Sequence, residues 1–159
     1  MSLVQDTIVW NSRFILGIPL LDNQHKNMVN IANELFAACI ESPDIANDHF
    51  LKNASGAIEK MYYHFSNEEK LMTVLDYHGF IHHKREHENF IGEAFKLSKE
   101  HKSGNKIIPH RFVYFFRDWL LSHMMISDRV LANYIHKMKQ NGELKQMLEG
   151  KQEGVLLTA

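Results

Sequence analysis

Seven polar residues stand on helical stripes that otherwise carry apolar side chains: His25, His64, Glu68, His83, His87, His123 and Asp128. A helical core takes imidazoles and acids in that number only when something pairs with them, because burying an unpaired charge is costly. A metal centre is the simplest such partner. The chain must therefore fold so that all seven groups meet.

The stripes read as four long helices. The first spans about residues 19–41, with Ile18, Leu21, His25, Met28, Ala32, Leu35 and Cys39 in steps of three and four. Ser42-Pro43-Asp44 ends it and offers a cap for the second, about 45–75. The second seam is Phe50, Ala54, Ala57, Met61, His64, Glu68, Leu71 and Leu75. After a turn over 76–79, the third helix, about 80–102, carries Phe80, His83, His87, Phe90, Ala94 and Leu97. Ser103-Gly104-Asn105 is a loop, and the fourth helix runs from about 109 to 140, closed by Asn141-Gly142. Pro19, Pro43 and Pro109 all lie where a helix begins, a position that proline tolerates. The fourth seam slips: Phe112, Phe116, Trp119 and His123 are followed by Asp128, Leu131, Ile135 and Met138. A step of five turns about 140° around an ideal helix. A π-bulge is the expected device for turning both His123 and Asp128 inward, with local unwinding or the reach of a long side chain as the alternatives.

Short connections and the lack of strand alternation predict an all-α fold, an antiparallel up-down-up-down four-helix bundle. Residues 1–142 form the domain, with 1–17 as an irregular arm carrying Trp10 and Phe14. Residues 143–159 are a short C-terminal tail. There, Leu144, Met147 and Leu148 suit one more helical turn, and Val155-Leu156-Leu157 suits docking or a loose end. In such a bundle the start of helix one, the end of helix two, the start of helix three and the latter half of helix four share one end. All seven polar seam residues then converge at one level. The pairs 64/68 and 83/87 are four apart, about 6 Å along the axis on one face. Five neutral imidazoles and two carboxylates are too many for one ion and fit two, with both carboxylates bridging. Nitrogen and oxygen donors without thiolate suit iron, zinc, manganese or copper.

Ordered motifs carry a family resemblance. These are Gly17-Ile18-Pro19 with Asp22-x-Gln24-His25, His64-Phe65-x-x-Glu68-Glu69, His83-x-x-x-His87, and Trp119-Leu120-x-x-His123-x-x-x-x-Asp128. Across about residues 10–136 the chain resembles the hemerythrin family in its single-domain bacterial form. The resemblance implies two irons per chain, one held by His83, His87 and His123, the other by His25 and His64. Glu68, Asp128 and a solvent-derived oxygen would bridge them, and O2 would bind reversibly at the open position of the two-histidine iron. It also implies an apolar pocket there, lined by Met28, Phe65, Trp119, Leu120 and Met124. Met124 stands where the family often has a branched aliphatic residue. Met28 lies one turn after His25, and methionine's flexibility leaves the pocket's size open.

The implied use is O2 storage, delivery or sensing, with no catalytic residue. Two other functions compete with it: a di-iron oxidase, peroxidase-like or NO-handling enzyme, and an O2 or redox signalling module. Histidine-rich ligation leaves few anionic donors to stabilise high-valent iron, which favours reversible binding over oxygen activation.

The remaining sequence excludes more than it suggests. A chain of 159 residues fits one domain, and 45% hydrophobic residues make it globular. A net charge of −1 suggests no nucleic-acid partner. Cys39 is the only cysteine, so no internal disulfide forms, and the expectation is a reducing, cytoplasmic setting. The first ten residues carry no basic stretch leading into an apolar run. No segment approaches the roughly 18 apolar residues of a membrane helix, so no membrane insertion is expected. There is no phosphate-binding glycine loop, nucleophile elbow or thiolate zinc motif. Of 11 histidines, His49, His78, His82, His101, His110 and His136 fall off the seams or near helix ends and read as surface or capping residues. Glu69 reads as solvated or as a neighbour of the donor set.

Overall fold

The computed structural model describes residues 7–148. A short 3-10 turn, Ser12–Phe14, precedes α1 (Pro19–Glu41), α2 (Pro43–Val74), α3 (Phe80–Lys102), α4 (Ile108–Met125), α5 (Ser127–Gln140) and α6 (Glu143–Leu148). α1 packs on α2 and α4, and α3 packs on the same two, so the four helices close into a ring with α5 continuing α4. No strand occurs among the described residues, and no described helix is long and apolar enough to cross a membrane.

Local chemistry sets the helix ends. Ser42 Oγ accepts the Ile45 N–H at 3.2 Å, with Pro43 in the first turn, so α2 starts two residues earlier than the seam alone suggests. α1 has no side-chain cap at Ile18. Its first-turn Asp22 instead accepts the Leu16 and Gly17 N–H groups at 2.7 and 3.0 Å, folding the arm back onto the helix start. Gly17 makes that bend at φ +75°, and a Cβ there would meet the His136 ring at 3.3 Å. The same ring's Nε2 reaches the Leu16 carbonyl at 2.6 Å.

Helix four is in fact two helices. Ile126 separates α4 from α5 with φ −112° and ψ −73°. Its N–H points to both the Ser122 and His123 carbonyls, at 3.0 and 3.3 Å. The seam slip is thus absorbed by a tightened turn and a break, where the spacing predicts a π-bulge. α6 realises the further helical turn, with Leu144 against the cluster that contains Leu131 and Ile135. Val155, Leu156 and Leu157 lie outside the described residues.

The apolar interior is split. One cluster runs from Ile8 and Phe14 through Met28, Phe50, Met61, Phe90, Phe112, Phe116 and Leu120 to Met124. A smaller one gathers Leu16, Leu21, Leu71, Leu75, Leu131 and Ile135 at the end where α1 starts and α2 stops. The polar seam residues lie between them. His25 falls between Leu21 and Met28, Glu68 between Phe65 and Leu71, and Asp128 between Met124 and Leu131.

Candidate metal centre

All seven polar seam residues are buried, none more than 4% exposed. Five imidazoles turn their Nε2 atoms toward one another. His83 and His87 lie 3.0 and 3.1 Å from His123, and His25 lies 3.2 Å from His64. The donors sort into two groups, Glu68 with His83, His87 and His123, and His25 with His64, Glu68 and Asp128.

The carboxylates join the groups. Asp128 directs Oδ2 at His25 (3.0 Å) and Oδ1 at His83 (3.2 Å) and His123 (3.0 Å). Glu68 Oε2 faces His64, His83 and His87 at 3.4, 3.4 and 3.3 Å. None of the four carboxylate oxygens of Glu68 and Asp128 has a partner in hydrogen-bond geometry, although imidazole nitrogens stand that close. Fully buried acids left so are expensive unless a cation satisfies them. Within each group the donor atoms lie within 4.8 Å of one another. That is close to the ~4 Å between opposite ligands of an ion with bonds of ~2.0–2.2 Å. The residues therefore fit a pair of cations.

Charge in the metal-free centre follows its neighbours. Burial pushes the His64 imidazole down to about 4, against the pull of Glu68. Burial acts the same way on His83 and His123, but the Asp128 and Glu68 carboxylates outweigh it and hold them at about 9 and about 10. Burial raises the two acids, Glu68 being raised further by Asp128, and the surrounding imidazoles more than reverse this, so both stay ionised.

Outside the donors, three of the five imidazoles have their other ring nitrogen held. His64 Nδ1 meets Gln24 Oε1 at 2.9 Å, His87 Nδ1 meets Glu69 Oε1 at 3.1 Å, and His123 Nδ1 meets Glu86 Oε2 at 2.9 Å. Glu69 is thus a neighbour of the donor set. Glu86 is absent from the residues that the sequence singles out, and its one signal there is an acid placed directly before His87.

The five residues expected around the open position are all at least partly buried. Phe65 stacks on His87, with centroids 3.9 Å apart and rings 9° from parallel, and also lies 5.9 Å from His64. Trp119 stacks on His123 at 4.2 Å, so its ring covers the three-histidine group. Met28, Leu120 and Met124 belong to the larger apolar cluster.

One of the six histidines read as surface or capping residues differs from that expectation. His101 is buried, its Nε2 2.7 Å from Asn47 Oδ1 and its ring 4.6 Å from Phe50. His110 and His136 are half-buried on the carbonyls of Cys39 and Leu16. His82 is exposed, as expected, and shares none of the donor contacts.

Two buried donor groups sharing a carboxylate inside an antiparallel bundle define a helical cation-binding protein with two adjacent positions. The chain matches the model of the hemerythrin HHE cation binding domain over residues 16–135 and belongs to the hemerythrin family. It is 28% identical to a bacteriohemerythrin of Methylococcus capsulatus over 126 residues, 77% of this chain and 92% of that one. It is 30% identical to a hemerythrin of Sipunculus nudus over 132 residues, 83% of this chain and 97% of that one. A bacteriohemerythrin of Clostridium acetobutylicum is 29% identical, with 76% and 95% covered.

Proposed function

We propose that this protein binds O2 reversibly at a pair of iron ions and is not an enzyme. His83, His87 and His123 would hold one ion, His25 and His64 the other, with Glu68, Asp128 and a solvent-derived oxygen between them. Bound iron would supply the electrons and the coordination position that O2 needs.

The observation that carries this reading is the inequality of the two donor groups. With Asp128 Oδ1 included, the three-histidine group offers five protein donors, and the two-histidine group offers four. The two-histidine group, one protein donor short of its neighbour, would leave one more place on its ion for a ligand. The chain's own residues then protect that place. Met28, Leu120 and Met124, with Phe65 and Trp119 at the flank, keep water and stray protons away from a bound gas. The preponderance of neutral imidazole over carboxylate supports binding over oxygen activation.

Oxygen uptake tests the proposal. Reduced, iron-loaded protein should take up one O2 per two irons and return it when the solution is deaerated. Steady O2 consumption with a reductant present, and none returned, would make the protein an oxidase instead.

A further inference from the structure

The two donor groups differ in what stands behind them. Behind the three-histidine group are two carboxylates, Glu69 on His87 and Glu86 on His123. Behind the two-histidine group is one neutral amide, Gln24 on His64, while His25 Nδ1 is buried without a hydrogen-bond partner. An imidazole whose N–H is accepted by a carboxylate is a more basic donor, and its ring is fixed in one tautomer and orientation.

Glu86 does this from a built position. It extends from α3, and its Oε2 receives His123 Nδ1 of α4 at 2.9 Å and the Ser127 hydroxyl of α5 at 2.5 Å. His123 and Ser127 flank the break at Ile126. One carboxylate oxygen therefore joins three helices at the point where helix four is interrupted. Glu69 is weaker in the same role, since Lys84 Nζ lies 3.3 Å from its other oxygen and offsets its charge.

We propose that Glu86, assisted by Glu69, is a positioning residue that makes the three-histidine group the stronger donor of the two, so that the oxidised state of a redox metal pair settles there first. The inference rests on the two-ion reading.

Two probes separate this inference from the two-ion reading. The first is zinc, which has no redox chemistry, measured by competition with a chelator for each of the two positions. Glu86→Gln should weaken one position 10–100-fold and leave the other within about threefold. Gln24→Ala should affect the opposite position. The second probe is the redox equilibrium of the iron-loaded protein with a reduced dye, in which iron(III) gains one electron and the dye loses one. Glu86→Gln should shift it at least tenfold toward iron(II), about 59 mV for one electron. Glu69→Gln should shift it less in the same direction, and it serves if Glu86→Gln fails to fold. Ser127→Ala removes a proton donor from Glu86 and should shift it the other way. A purely structural role would give Glu86→Gln and Ser127→Ala the same sign, and that result overturns the proposal. So does an unchanged redox equilibrium in a variant that binds two irons, or equal weakening of both zinc positions. Failure of the wild type to bind two irons would reject the two-ion reading, and the zinc arm would still decide whether the donor groups are unequal.

Discussion

Asp128 Oδ1 lies 3.0 Å from His123 Nε2, although the step of five between them would hold them about 140° apart on an ideal helix. The break at Ile126 brings them together, and the other oxygen of Asp128 is left facing His25. Asp128 therefore faces imidazoles of both donor groups.

Removing Asp128 should therefore cost more metal than removing one histidine. Wild-type protein reconstituted anaerobically is expected to hold two irons per chain. Asp128→Ala and Glu68→Ala should fall to about one or fewer, while His82→Ala should keep two. Elemental analysis against protein concentration checks this. Full iron content in Asp128→Ala would mean that its oxygens are not donors.

Metal removal should destabilise the fold. Stripped of cations, the centre leaves four carboxylate oxygens buried without hydrogen-bond partners. A ligand at a hundredfold excess over its dissociation constant stabilises the native state by ~2.7 kcal/mol. For a chain of this size that corresponds to a rise in Tm of about 5–11 °C. Calorimetry of metal-free and loaded protein measures it, and equal melting temperatures would place the cations elsewhere.

Metal uptake should depend on pH with a definite sign. The Asp128 and Glu68 carboxylates hold His83 and His123 at about 9 and about 10, so at neutral pH this pair, its Nε2 atoms 3.0 Å apart, keeps a proton that a cation must displace. His64, lowered to about 4, is already neutral there. Affinity at the three-histidine group should rise with pH between about 6 and 9, and level off as that pair loses its proton. Titrating zinc into weakly buffered protein should release protons chiefly on filling that group. Binding that does not change with pH would contradict the assignment.

Much of this architecture is legible in the sequence because its signals are local. The bounds of α1 and α3 follow from Pro19 and from the Asp76–Gly79 turn, and the seven donors stand out as polar interruptions of apolar stripes. The features that sequence does not reveal depend on contacts between distant segments. His101 continues the α3 stripe through Phe90, Ala94 and Leu97, but its burial depends on Asn47, 54 residues away. Glu86 has no periodic signature, and its role emerges only when α4 and α5 are set against α3. The slip between His123 and Asp128 is visible as spacing, but spacing alone does not choose between a bulge and a break.

Leu120 tests the apolar lining. It is 1% exposed and one turn before His123. Leu120→Ala should cost ~2–5 kcal/mol of stability as a buried truncation. As part of the pocket wall it should also admit water and speed air oxidation of the reduced protein. A folded, iron-loaded variant that oxidises at the wild-type rate would remove Leu120 from the lining and leave Met28 and Met124 as the residues to vary.

The central claim is reversible O2 binding at two irons, and absorption spectroscopy tests it most directly. Anaerobically reduced protein, with its iron quantified, is exposed to air and then returned to argon without added reductant. Reversible binding predicts a charge-transfer band that forms with O2, disappears on its removal, and recovers in full over repeated cycles. A band that persists under argon, or that decays to an oxidised spectrum in a single exposure, would contradict it.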